Sequence, residues 1–396
     1  MPASCTQNVF SLPPVVELFS GCGGLALGFH AAGFQHKVLV ERDKLACATL
    51  AENGTLLDVA GAELLVRDVG TLTWAQSAPL VVSGGPPCQP FSMGGRAAGP
   101  LDPRDMWPEA IRAVRELEPE GFLFENVKGL LRPAFSGYLA WIRASLESPQ
   151  MAMQPCESAE AHLARMQAST LAPRYATCLH LANAADYGVA QIRHRVFIAG
   201  LKTGHGVLPP FPAPTHSESR LVWDKWVSGD YWRRHGLPMP ALETASARER
   251  RITRTLKSPP PFEPWRTCRD ALRGLGDPLP GLDTDGTNHR LQPGARQYPG
   301  HTGSALDWPA KALKAGVHGV PGGENMLVLD DGTVRYFSVR EAARLQGFPD
   351  DYRFTGSWSR SLRQLGNAVP VPLGKAAAEW LSRSLYLARH SPGPGQ

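Results

Sequence analysis

Short apolar runs that each stop at a polar or glycine-rich end set the first constraint on this chain. Residues 14–20 (PVVELFS) read as a buried strand, and the glycine-rich residues 21–34 carry it into a helix. Residues 36–41 (HKVLVE) read as a second strand and residues 43–53 as a second helix. Residues 79–82 and 121–127 (GFLFENV) repeat the pattern. Between them, residues 103–118 read as a helix with Ile111, Val114 and Leu117 on one face. Strands alternating with helices imply βαβ units and a mostly parallel sheet, the α/β class. Functional residues of such sheets gather at the carboxyl ends of the strands.

The chain continues for 396 residues, more than one ordinary domain needs. Residues 145–173 read as partly helical, and residues 175–181 and 195–200 as further strands. Residues 205–337 are rich in Pro, Gly, Trp and Arg and show little helical periodicity, which predicts a second, loop-rich domain. Helical periodicity returns at Ser338, whose spacing from Glu341 suits a capping box. Residues 372–390 form an amphipathic helix expected to pack back on the first sheet. The net charge is +5, yet residues 220–273 alone hold twelve Lys/Arg against six Asp/Glu. Trp223, Trp226, Tyr231, Trp232 and Trp265 are interleaved with them, a pattern that suits a nucleic-acid surface. Seven widely spaced cysteines without a CxxC pair indicate neither a metal site nor a disulfide framework. No apolar run approaches the roughly 20 residues of a membrane span, and the start of the chain lacks signal-peptide features. A cytoplasmic protein is expected.

Four stretches carry candidate chemistry. In residues 84–92 (GGPPCQPFS), Pro86 and Pro87 stiffen the chain before Cys88 and present its thiol at a strand end. Arg96, Arg104 and the nearby helix start favour thiolate character. The turn containing Phe19, Gly21, Gly23 and Gly24, with Glu41 ending the next strand, suits a nucleoside cofactor. It leaves a dinucleotide and S-adenosylmethionine both open. Glu125 and Asn126 end the strand beside Cys88. In residues 191–195 (QIRHR), the alternating period sends Gln191, Arg193 and Arg195 to one face, where guanidinium groups suit an anion or a carbonyl oxygen.

Taken together, ELFSGCGGLALGF, GGPPCQPFS, ENVKGL, YGVAQIRHRVFI, REAARLQGFPD and GNAVPVPL resemble, in order, the motifs of the DNA (cytosine-5) methyltransferases, especially the compact bacterial modification enzymes. The resemblance implies a Rossmann-like S-adenosylmethionine-dependent sheet in residues 1–204 and a target-recognition domain in 205–337. A hinge would follow in 338–365, and residues 366–396 would return to the catalytic domain. It implies that Phe19 stacks on the adenine, that Gly21, Gly23 and Gly24 shape the turn, that Glu41 holds the ribose and Asp68 the adenine amino group, and that Pro86 and Asn367 line the cofactor. Cys88 would be the nucleophile, Glu125 the partner of the cytosine edge and Arg195 a contact to its carbonyl oxygen, with Gln191 and Arg193 bracing that strand. Ser92, Arg96, Arg104, Lys311 and Lys314 would meet DNA. Two positions depart from the family pattern: Ala190 stands where Pro is usual, and Ala312 where a threonine is expected to touch a phosphate.

The implied activity is methyl transfer to carbon 5 of a flipped-out cytosine in duplex DNA. The enzyme would act as a monomer at the bacterial nucleoid beside a separate restriction endonuclease. The rivals are a tRNA methyltransferase on the same scaffold and a catalytically inactive DNA-binding relative. A nicotinamide oxidoreductase explains the glycine turn but nothing after it.

Overall fold

The computed structural model describes residues 12–57, 61–75, 80–87, 105–206, 208–281, 283, 286–315 and 325–390. The first part of the chain builds a seven-stranded sheet from β1 (Val15–Leu18), β2 (His36–Glu41), β3 (Glu63–Val66), β4 (Val81–Gly84), β5 (Gly121–Val127), β6 (Tyr175–Asn183) and β7 (His194–Lys202). Its order is β3-β2-β1-β4-β5-β7-β6. The first five strands pair in parallel, whereas β7 runs antiparallel to both β5 and β6. Strand β3 is not legible in the sequence because its ELLV is half exposed and lacks a long apolar run.

Alternate residues of each strand bury on opposite faces. Val16, Leu18, Val82, Phe122 and Phe124 pack with Trp107 and Val114 of α3 (Trp107–Leu117). The same cluster takes in Trp141 and Ile142 of a helix at Ser136–Glu147, α4. Val15, Val81, Leu123 and Phe197 face the other way. They meet Phe29 of α1 (Gly24–Ala31) and Leu373, Trp380 and Leu381 of the last helix, Val371–His390. The C-terminal helix thus lies against the first sheet. It packs so closely on α1 that a Cβ placed at Gly28 would lie 2.5 Å from the carbonyl carbon of Gly374. Gly28→Ala is expected to lower unfolding stability by about 1–3 kcal/mol through overpacking, read from the urea midpoint.

Helix α2 (Lys44–Glu52) follows β2, capped by Asp43, and α5 (Ala159–Gln167) lies in the 145–173 insert. Beyond β7, residues 205–337 hold more helix than their composition suggests: α6 (Glu218–Trp226), α7 (Asp230–His235), α8 (Ala247–Thr255) and α9 (Cys268–Leu272). Each is nine residues or shorter, too brief to display a period. Side-chain caps mark several starts instead: Ser217 at α6 and the capping boxes Ser246–Glu249 and Thr267–Asp270. A two-stranded pair, β8 (His216–Ser217) and β9 (Glu263–Pro264), and a three-stranded sheet complete this region. The latter comprises β10 (Ser304–Ala305), β11 (Met326–Val328) and β12 (Val334–Tyr336).

The aromatic residues expected on a nucleic-acid surface are mostly inside. Trp226, Tyr231, Trp232 and Trp265 form a core with Leu221 and Val222. Among them sits the Lys225 ammonium, paired with Glu249 at 2.5 Å. Arg220, Arg234 and Arg248 of this stretch are held by Asp224, Asp270 and Glu218. Basic and aromatic residues alternate there because short amphipathic helices bury one face and ion-pair on the other.

Two further helices, α10 (Val339–Leu345) and α11 (Trp358–Asn367), precede α12 (Val371–His390). They share a core with Cys22, Leu39 and Leu50 of the first sheet region. Among the described residues no helix is long and apolar enough to cross a membrane.

Candidate active site

The carboxyl ends of β1, β2, β4 and β5 open onto one cavity of about 420 Å³. A larger groove, about 690 Å³, lies elsewhere between Gly33, Gln35, Tyr386 and Leu387, with Arg383 on its wall. The smaller space is the one lined by Phe19, Glu41, Glu125, Arg195 and Asn367.

The turn after β1 is built from unusual backbone. Phe19 adopts φ 57°, a left-handed conformation that costs a non-glycine residue energy. Gly21 at 54° and Gly23 at 85° supply the rest of the turn. Gly23 does not line the cavity: it packs behind it, where the Tyr352 hydroxyl donates to the carbonyl of Cys22 at 2.6 Å. Phe19, Gly21 and Gly24 do line it.

Glu41 reaches into the turn from the end of β2. Its Oε2 accepts from the Gly21 amide at 2.9 Å, and its Oε1 from the amides of Arg42 and Asp43 at 2.8 and 2.7 Å. Asp68 lies beside Phe19 in an adjoining pocket of about 60 Å³. The Gly70 amide and then the Arg42 guanidinium hold its carboxyl below the usual range, so it is ionised. An aromatic ring, an ionised acceptor and a strand-end carboxylate in this order fit the base and ribose of a nucleoside.

The other wall of the cavity carries Glu125 and Arg195. They form an ion pair, and each side chain is about 10 % exposed. Antiparallel pairing brings them together: β5 ends where β7 begins, with Val127 opposite Arg195 and Glu125 opposite Phe197. Burial pushes the Glu125 carboxyl above the usual range, and the charges of Arg195 and Arg193 only partly oppose it. Such an acid is poised to keep or donate a proton.

Strand β4 leads toward Cys88. Gly84 admits no side chain, since a Cβ there would lie 2.3 Å from the Leu18 carbonyl oxygen. Gly85 lies against the Glu125 carboxylate, and the Asn126 amide donates to the Pro86 carbonyl at 3.1 Å. The strand is thereby aimed at the Glu125–Arg195 pair. Cys88, Ser92, Arg96 and Arg104 themselves lie outside the described residues. Two buried cysteines beside the glycine turn and Glu41 are poor nucleophiles: burial pushes Cys22 up to about 12 and Cys47 up to about 11.

Asn367, at the end of α11, lines the same cavity as Glu41. Arg363, one helical turn earlier, lines it too and was missed in the sequence, although its i, i+4 relation to Asn367 is a usable signal. Gln191 and Arg193 are buried outside this wall, bonded to neighbouring backbone and to each other. Lys311 is exposed, its ammonium donating to the Thr302 hydroxyl at 2.7 Å. Lys314 exchanges two backbone hydrogen bonds with the Asn325 side chain. Among the described residues no group of three or more His, Cys, Asp or Glu comes together as a metal site.

The family model of the C-5 cytosine-specific DNA methylases matches residues 14–154 and 164–383. The type II methyltransferase M.AplI of Arthrospira platensis is 31% identical over 382 residues, covering 94% of this chain and 86% of that protein. M.NgoMIV of Neisseria gonorrhoeae is 28% identical, covering 93% and 97%. A solved structure of a putative DNA modification methyltransferase encoded within an E. coli prophage shares the fold, with a TM-score of 0.54. It has 23% identity and covers 95% of this chain and all of that one.

Proposed function

Since this chain belongs to the C-5 cytosine-specific DNA methylases and is a DNA (cytosine-5) methyltransferase, we propose that the strand-end cavity is where S-adenosyl-L-methionine and a flipped-out cytosine meet. The observation that carries this reading is the pairing of Glu125, its carboxyl pushed up by burial, with Arg195 at the mouth of β4, opposite a nucleoside-shaped turn. Phe19 and Asp68 would hold the adenine, Glu41 the ribose, and Asn367 the methionine end. The cofactor supplies an electrophilic methyl group.

Carbon 5 of cytosine is a weak nucleophile. Addition of the Cys88 thiolate to carbon 6 makes it an enamine carbon. The addition loads charge on N3 and O2. Glu125 donates its proton to N3, and the Arg195 guanidinium stabilises O2. After methylation carbon 5 gives its proton to water, the thiolate leaves carbon 6, the N3 proton returns to Glu125, and the aromatic ring is restored. A base inside the duplex is out of reach of these groups, so it must leave the stack at a cost of a few kcal/mol.

Residues 205–337 would form the target-recognition domain, with Lys311 and Lys314 toward phosphates. Ala312 lacks the hydroxyl that the family pattern places there, so the neighbouring lysines would carry that contact. The enzyme would act as a monomer beside a separate endonuclease, in the cytoplasm where the DNA lies; the relatives M.AplI and M.NgoMIV carry the designation type II methyltransferase.

The deciding experiment is transfer of labelled methyl groups to duplex DNA and, separately, to tRNA, followed by bisulfite sequencing of the DNA product. Methylation of one short duplex site is expected; labelling of tRNA alone would overturn the reading. DNA carrying 5-fluorocytosine at the mapped site is expected to trap a covalent adduct, because carbon 5 then has no proton to lose. Glu41→Ala is expected to raise the cofactor KM by roughly ten- to a hundredfold, the loss of a charged hydrogen-bond acceptor, with a smaller effect on kcat.

A further inference from the structure

Three segments distant in sequence meet at one buried side chain. Arg193 is 2 % exposed. Its Nη2 donates to the carbonyl oxygens of Gly366 at 2.5 Å and Ala368 at 3.2 Å, the residues on either side of Asn367. Its Nη1 donates to the carbonyl oxygen of Leu313 at 2.8 Å. Gln191, two residues before it, accepts from the Leu313 amide at 3.3 Å. Backbone hydrogen bonds reinforce the join: Ile192 donates to the Ala310 carbonyl at 2.9 Å, and Ala310 to that of Ala190 at 2.8 Å. Gly366 lies directly on residues 314 and 315, since a Cβ there would sit 2.4 Å from the Ala315 nitrogen.

We infer that Arg193 is a positioning residue that locks residues 311–315 and Asn367 into one setting, so that DNA and cofactor strengthen each other's binding. This rests on the proposed reading that Lys311 and Lys314 face DNA and Asn367 faces the cofactor. A guanidinium suits the task because it is planar and presents separate donors to two partners at once. It also places a cation at the C-terminal end of α11, where the helix dipole favours one. Any shift of residues 311–315 must move the Leu313 carbonyl relative to Arg193, or else move Arg193 and with it the carbonyls of both neighbours of Asn367. Neither bound partner has to touch the other for the two sites to communicate, and the coupling must be reciprocal.

The test measures the Kd of S-adenosyl-L-homocysteine by calorimetry, with and without sheared bacterial chromosomal DNA, which contains every short target. For the wild type, DNA is expected to tighten binding by about fivefold or more, the usual range of such couplings. In Arg193→Lys, a single ammonium cannot span both directions, and the ratio is expected to fall toward one. Gln191→Ala removes one acceptor and leaves the guanidinium, so it should lower the ratio partially. This second variant keeps the test open should the lysine variant fail to fold, which circular dichroism will show. A wild-type ratio in both folded variants, or a wild-type protein whose affinity ignores DNA, overturns the coupling alone. A wild type that binds no S-adenosyl-L-homocysteine overturns the cofactor reading and the coupling together.

Discussion

Cys88→Ala is expected to bring methyl transfer to background while leaving S-adenosyl-L-homocysteine binding within about twofold of wild type. The covalent route splits one inaccessible step into two accessible ones, and an alanine offers no atom that can add to carbon 6. Cys22 and Cys47 stay protonated at neutral pH because burial raises both. Losses of this kind, where one member of a concerted set is removed, run to several orders of magnitude in kcat. Single-turnover assays on the mapped duplex, together with 5-fluorocytosine trapping, read the result. Turnover by the alanine variant near the wild-type rate would exclude Cys88 as the nucleophile.

Glu125→Gln should cost about 10²- to 10⁴-fold in kcat, the usual weight of a positioned general acid, with the cofactor KM little changed. The amide would still face N3 under the proposed reading and neighbour Arg195, but it has no acidic proton to give. The pH dependence separates this from mere loss of packing. Burial raises the Glu125 carboxyl, so its donor form persists below that raised value and is lost as pH climbs through it. Wild-type kcat should therefore fall on the alkaline side, and the glutamine variant should lack that fall. An identical alkaline limb in both proteins would assign it to another group.

Much of the site was legible because α/β sheets place chemistry at strand ends, and strand ends show as apolar runs that stop. Glu41 and Glu125 were found this way, and the cavity they line is where the pattern puts it. The direction of β7 was not legible, since alternation carries no arrow; the antiparallel register that joins Glu125 to Arg195 is visible only in the fold. The short helices of residues 218–272 hid for want of length, and their caps were the better signal. The inward turn of Trp226, Tyr231 and Trp232 was hidden because composition does not say which side of a helix is covered. The anchors of the glycine turn were beyond reach for another reason: Tyr352 bonds the Cys22 carbonyl across 330 residues, and Asn53 meets Arg353 across 300. Arg193 belongs to the same class, its partners lying at positions 313, 366 and 368.

The antiparallel seam between β5 and β7 sets a rule for how this gene can drift. Side chains on a strand alternate sides with every residue, so one codon inserted or deleted inside residues 194–202 would carry Arg195 to the opposite face of the sheet and strand Glu125 without its partner. Point changes on the outer positions leave the frame intact. Length changes beyond residue 202, where the chain leaves the sheet, shift nothing in the pair. Lineages of this enzyme can therefore rewrite and resize the region beyond residue 202 while the spacing between His194 and Lys202 stays fixed to the residue.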